Sequence, residues 1–235
     1  AAGSGKVVIA NSDYSTGSLS SFDPDKMNSS NGILQGEVAP DLYVRSYNNM
    51  LYVLDGTNGN VTLIDPENGY NILNQVSTGS YSYPHDIVVT GNSAYVTLYG
   101  SSNLWIMNST TLEHTGSIDL SQYNPAGTDA PKMDHMWLDS STGYLYVSVQ
   151  RLTYDESWTA QADYSSIIVI DTSDNTIKKE IILRWTVSET TTNALNPLSK
   201  FVFASRDSWD NGSGHDHIFV LCQGLWKFDG SAYAS

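Results

Sequence analysis

Tyr52-Val53-Leu54-Asp55 runs through the turn Gly56-Thr57-Asn58-Gly59-Asn60 into Val61-Thr62-Leu63-Ile64-Asp65-Pro66. Two short aromatic and β-branched runs joined by glycine and asparagine read as a pair of antiparallel strands. The phrase recurs. Upstream it is Val8-Ile9-Ala10-Asn11 to Ser21-Phe22-Asp23-Pro24, and downstream Tyr95-Val96-Thr97-Leu98 to Ile106-Met107-Asn108-Ser109. Two further copies are Tyr146-Val147-Ser148-Val149 to Val169-Ile170-Asp171-Thr172, and Phe219-Val220-Leu221-Cys222 to Lys227-Phe228-Asp229-Gly230. From Ile9 to Val53 is 44 residues and from Val53 to Val96 is 43, a period at which repeats of four short strands build propeller blades.

Each unit reads as strands A to D. In the third, Asp86–Val89 is A, Ala94–Leu98 is B, Asn103–Met107 is C and His114–Leu120 is D. Gly91-Asn92 tolerates the positive φ of a two-residue hairpin, and Asp65-Pro66-Glu67-Asn68-Gly69 suits a type I turn. Strands B and C are nearly continuous apolar runs, which implies burial on both faces and sheets stacked on sheets. The expected fold is all-β: a β-propeller of four-stranded blades, one domain over 1–235, with about five units near 6–38, 39–79, 80–121, 122–184 and 185–235. The first unit starts at strand B and the last stops at C. An excerpt of a larger propeller, closure through a composite blade and an open stack all remain as readings of those ends.

Val96 to Val147 is 51 residues and Val147 to Val220 is 73, so the later units carry insertions. These are Arg151–Asp163, Asp207–Asp216 and the Trp185–Pro197 connection. Long connections on a rigid scaffold are where binding usually resides.

The Tyr-Val-x-x strand, the Gly/Asn turn and Val61-Thr62-Leu63-Ile64-Asp65-Pro66 resemble the YVTN-type (YncE-like) extracytoplasmic β-propeller repeat family, well over 6–183 and loosely beyond. The resemblance implies a surface-layer module, a binding platform or occasionally an enzyme. The stretched fourth and fifth units depart from the family pattern.

The 25 acidic side chains outnumber the 11 basic ones, and a net charge of −14 repels phosphate backbones and anionic membrane surfaces. Nucleic acid is therefore not an expected partner. No apolar run is long enough to cross a bilayer as a helix. The single cysteine, Cys222, has no internal disulfide partner and reads as a small buried hydrophobe within a strand. Sequons for N-glycosylation start at Asn28, Asn60, Asn108 and Asn211, in or beside turns. Sequons, acidity and low lysine content together point to an extracellular, cell-surface or periplasmic address.

His85 lies 11 residues before Val96 and His135 lies 12 before Val147, which places both at the start of strand A in consecutive units. The extra residue is expected in the longer Asp139–Gly143 turn. Neutral imidazoles are common metal ligands, and Asp86 or Asp134 beside them is placed to orient a ring. A catalytic zinc needs three protein ligands and these positions supply two. The pair resembles the His-lined centre of NHL-type propellers such as the peptidyl-amidoglycolate lyase core. Hydrogen bonding of the two imidazoles to neighbouring backbone is the alternative. In the 207–216 loop, Asp207, Asp210 and Asp216 offer hard oxygen donors of the kind calcium takes, or form an acidic hairpin without metal. Tyr154, Asp155, Glu156 and Trp158 form an expected acidic-aromatic rim for a sugar, a cationic peptide or a partner protein.

No phosphate loop, nucleophile elbow or His-Glu-x-x-His occurs. The expectation is a secreted or surface propeller that binds a protein or glycan, or packs with copies of itself in an extracellular layer. The alternative is a metal-dependent lyase or hydrolase, with zinc or calcium, centred on His85 and His135.

Overall fold

The computed structural model describes residues 5–157, 159–187, 190–195, 197, 201–204, 217–222, 225–226 and 232–233. The chain is all-β, with a single 3-10 turn at Ser121–Tyr123 among the described residues. The first sheet has three strands, β1 (Val7–Ser12), β2 (Gly17–Asp23) and β3 (Asn28–Ile33), in sequence order. The second has four: β4 (Leu42–Tyr47), β5 (Met50–Asp55), β6 (Asn60–Asp65) and β7 (Asn71–Ser77). The third repeats that order with β8 (Pro84–Thr90), β9 (Ser93–Leu98), β10 (Asn103–Asn108) and β11 (His114–Asp119).

The fourth sheet is interrupted. After β12 (Met133–Asp139) and β13 (Tyr144–Val149) comes a separate hairpin, β14 (Thr153–Tyr154) and β15 (Ala160–Gln161), and then β16 (Ser166–Asp171) and β17 (Thr176–Ile182) close the sheet. Three short hairpins follow. They pair β18 (Arg184–Val187) with β19 (Thr190–Asn193), β20 (Val202–Ala204) with β21 (His217–Phe219), and β22 (Leu225–Trp226) with β23 (Ala232–Tyr233). The Trp185–Pro197 stretch, expected as a plain connection, thus holds the β18–β19 hairpin. Cys222, expected within a strand, makes an isolated bridge to Pro197 and is half-buried, and that burial pushes its thiol pKa up.

Contacts divide the chain into two compact units, Ala1–Val96 with Trp105–Gly116, and Thr97–Leu104 with Ser117–Ser235. In the first, Leu19, Val38, Leu51, Val53 and Ile64 form a buried cluster joined by Val8, Val44 and Tyr70. In the second, Leu145, Val147, Val149, Ile168 and Ile170 are buried on β13 and β16. Burying each such side chain contributes about 1.5–3 kcal/mol, so the paired middle strands carry most of the stabilisation. Outer strands are polar: β3 and β7 are largely exposed.

Candidate functional site

Asp86 lies in β8 and is buried. Arg45 on β4 grips it with both arms of the guanidinium, Nε donating to Oδ1 at 2.6 Å and Nη2 to Oδ2 at 2.8 Å. The Ile87 amide donates to Oδ1 as well, at 2.8 Å. A bidentate arginine on a buried carboxylate is a strong, directional pair, and removing one partner costs about 3–5 kcal/mol because the other charge stays buried. Asp86, expected beside His85 as an orienter of its ring, has Arg45 on both of its oxygens. His85 is half-buried, with its ring centroid 4.9 Å from that of Tyr43. All of these residues belong to the first unit.

The second unit holds Asp134 and His135, both buried. Their strand is irregular there: the β12–β13 register shifts between Met133, opposite Val149, and Met136, opposite Val147. The turn that follows, Ser140–Gly143, has four residues where Gly91–Asn92 has two between β8 and β9, so the longer turn lies between His135 and Val147 as expected, and the bulge falls at Asp134 and His135 themselves. Bulges re-aim side chains and are frequent beside active sites. Ser148 stitches this one. Its hydroxyl donates to the His135 carbonyl at 3.1 Å and accepts from the His135 amide at 3.0 Å. Thr97 donates to the Asp134 carbonyl at 2.7 Å.

A polar chain leads away from the bulge. Gln150 Nε2 donates to Asp134 Oδ2 at 2.9 Å, and Tyr99 Oη donates to Gln150 Oε1 at 3.0 Å. Lys132 Nζ sits 5.1 Å from the Tyr99 ring centroid, a cation-π contact. Burial lowers the lysine pKa, with Asp129 opposing the shift. His135 Nε2 is 3.8 Å from Asp134 Oδ1, close enough to interact when the ring is protonated but too long for a hydrogen bond. Lys132 and Arg151 flank this end of the sheet with φ of 61° and 55°, and Arg151 stacks 4.2 Å over Tyr164.

Sequence reasoning found Asp134 and His135 but missed Tyr99, Gln150 and Lys132. A signal existed for two of them. Tyr99 follows Val96 by three residues and Gln150 follows Val147 by three, so they are equivalent positions of consecutive units.

No group of three His, Cys, Asp or Glu residues close enough to hold a metal occurs among the described residues. Asp207, Asp210 and Asp216, the expected calcium ligands, lie outside those residues, as do Trp158 and the sequon at Asn211. Of the other sequons, Asn28 at the start of β3 is exposed, whereas Asn60 and Asn108 are half-buried.

The 151–163 insertion forms the β14–β15 hairpin. Asp155 organises its turn: Oδ1 accepts from the Ser157 and Thr159 amides, both at 2.9 Å, and Oδ2 from Gln161 Nε2 at 3.1 Å. Those bonds, the Thr159 amide foremost, hold the Asp155 pKa below the usual carboxylate value. Tyr154 is 48% exposed and Glu156 is exposed beside it. Of the expected rim, two residues face solvent and the third holds the loop in shape.

No protein-family model matches the sequence, and no curated protein does. Solved structures do resemble it. A protein from Lactobacillus plantarum matches with a TM-score of 0.57 at 10% identity, over 97% of this chain and 66% of that one. The periplasmic gluconolactonase PpgL of Pseudomonas aeruginosa matches at 0.56 and 16% identity, over 93% and 60% of the two chains. A putative 6-phosphogluconolactonase from Bacteroides uniformis gives 0.55 and 14%, over 94% and 63%. The fold is a β-propeller. At such identities the likeness carries the propeller fold alone, and this chain spans less than two thirds of the length of each of these structures. Helices that are long and apolar enough to cross a membrane are absent among the described residues, which leaves strand-built spans unaddressed.

Proposed function

We propose that the chain is a secreted or cell-surface propeller module that binds a protein or glycan partner, or packs within an extracellular layer. The observation that carries this reading is the β14–β15 hairpin, an insertion whose turn is organised by Asp155 while Tyr154 and Glu156 face solvent. A pre-organised loop loses little conformational entropy on binding, and tyrosine provides a large amphipathic contact with few torsions. The finer assignment to the YVTN-type group rests on the Tyr-Val strands at 52, 95 and 146 and on Val61–Pro66. The extracellular address and the use of sequons rest on the same residues as before, with Asn28 the most accessible acceptor.

The experiment measures binding of the purified chain to intact cell-envelope fractions, and its self-association by sedimentation. The double variant Tyr154→Ala with Glu156→Ala is expected to weaken one of the two by about tenfold, near 1.4 kcal/mol, with an unchanged melting curve. Unaltered binding and association in that variant would sink the reading. So would hydrolase or lyase turnover that His135→Ala abolishes, because the alternative metal-dependent function is centred there.

A further inference from the structure

The outward side of the first sheet holds a cleft that the hairpin reading does not use. It is a shallow, solvent-open depression of about 320 Å³, at the small end of the range for pockets that hold organic ligands. Asn11, Ser18 and Ser20 line it from β1 and β2, Asp13 from the loop between them, and Asn31 and Gln35 from β3 and the segment after it. The register pairs Asn11 with Ser18 and places Ser20 two residues along, so the three stand on one face of the sheet.

The chemistry of this lining is selective. Apart from Asp13, its side chains are neutral amides and hydroxyls, and no lysine or arginine is among them. An anionic ligand would find no counter-charge in this lining, on a chain whose net charge is −14. Amides and hydroxyls both donate and accept, which matches a ligand whose own groups are hydroxyls. Asn11 Nδ2 already donates to Ser20 Oγ at 2.9 Å. The side chains of Ser18, Asn31 and Gln35 make no hydrogen bond to other described residues, so their bonding capacity faces the cleft's solvent.

A second observation comes from the loop that carries Asp13. Tyr14 is 97% exposed with φ of 69°, a backbone conformation that bulky side chains rarely adopt. The loop is held in that shape: Asp13 Oδ1 accepts from the Ser15 amide at 2.9 Å and the Thr16 amide at 2.6 Å, and Ser12 Oγ accepts from the Tyr14 amide at 3.2 Å. An aromatic ring is thus maintained in water on the same loop that walls the cleft. Rings of this kind offer an apolar face and a polar tip, the complement of a sugar ring with its C–H face and peripheral hydroxyls.

We infer that the cleft bounded by Asn11, Ser18, Asn31 and Gln35, with Tyr14 beside it, is a binding site for a neutral oligosaccharide. Its amides and hydroxyls bond the sugar hydroxyls, and Tyr14 stacks on the next ring along. No residue of the hairpin lines the cleft.

Titration calorimetry with maltopentaose, cellopentaose and chitopentaose tests the assignment. Saturable binding of one of the three is expected, weakened at least about tenfold in Tyr14→Ala and likewise in Asn31→Ala. Both side chains are exposed, so the melting temperature of each variant stays at the wild-type value. Tyr154→Ala with Glu156→Ala retains the sugar affinity. Absence of heat with all three sugars up to about 10 mM overturns the inference, as does binding that survives both cleft variants unchanged. Sugar binding lost in the hairpin variant and kept in Tyr14→Ala overturns it too, while leaving the hairpin reading standing.

Discussion

At the scale of single residues, the Arg45–Asp86 pair sets the electrostatics around it. Tyr47, half-buried on β4, donates its hydroxyl to the Ile87 carbonyl at 3.3 Å. Burial first, and the Asp86 charge second, push its pKa up to about 12. The unfolded tyrosine ionises near pH 10, so folding favours the protonated form. That contribution is fully present below about pH 10 and disappears as pH rises toward about 12, because the unfolded chain sheds its proton first. With partial exposure discounted, the loss is on the order of 1–2 kcal/mol. Tyr47→Phe removes the ionisation together with the bond to Ile87, which lowers stability at neutral pH by about 1 kcal/mol. Urea unfolding across the alkaline range is therefore expected to show a shallower decline for Tyr47→Phe than for the wild type. Parallel declines would assign the alkaline limb to the other tyrosines whose pKa burial raises, Tyr52 and Tyr146 among them.

Among the elements, the turns were as readable as the strands where the residue type has a mechanical reason. Gly59 closes the β5–β6 turn with φ of 64°, and a Cβ there would stand 2.5 Å from the Gly79 carbonyl oxygen. Its own carbonyl accepts from the Thr78 amide at 2.7 Å, tying the turn to the end of β7. Gly59→Ala is expected to destabilise by about 2–4 kcal/mol, through positive φ and a backbone clash together, and denaturant unfolding measures it. A loss below about 1 kcal/mol would mean that the Gly79 loop yields easily. β5, β6, β9 and β16 were equally legible, because strands buried on both faces announce themselves as apolar runs. The β12 bulge was not, since one unpaired residue has no compositional mark. β18 and β19 were missed for the opposite reason: Thr190–Asn193 has the composition of a loop. Of the site, Asp134 and His135 were found by aligning repeats, and the same alignment would have given Tyr99 and Gln150. The Arg45–Asp86 pair spans 41 residues of sequence and two sheets, a closeness that no local pattern encodes.

Over the whole molecule, charge is the property that no single element controls. The net charge is −14, and several surface carboxylates stay ionised well into acid because turn amides and hydroxyls bond them. Asp13 is held at about 2 in this way, chiefly by the Thr16 amide. Against this repulsion stand surface ion pairs such as Lys6–Glu67, Lys26–Asp23 and Lys178–Asp174, each with at least one partner exposed. Pairs of that kind contribute little to stability and are screened by salt. Screening therefore acts on two terms of opposite sign. With 25 acids and 11 bases, most carboxylates have no cation to lose, so weakening the mutual repulsion outweighs weakening the pairs. Raising sodium chloride from about 10 mM to about 150 mM shortens the Debye length from about 30 Å to about 8 Å. The melting temperature is expected to rise by about 2–5 °C over that range, corresponding to about 1 kcal/mol for a chain of this size. A flat or falling temperature would show that specific pairs outweigh net charge in holding this propeller together. Substituting Lys178→Ala would then lower the melting temperature at low salt and leave it unchanged at high salt, because its two carboxylate partners, Asp171 and Asp174, lose their cation only where screening has not already removed the benefit.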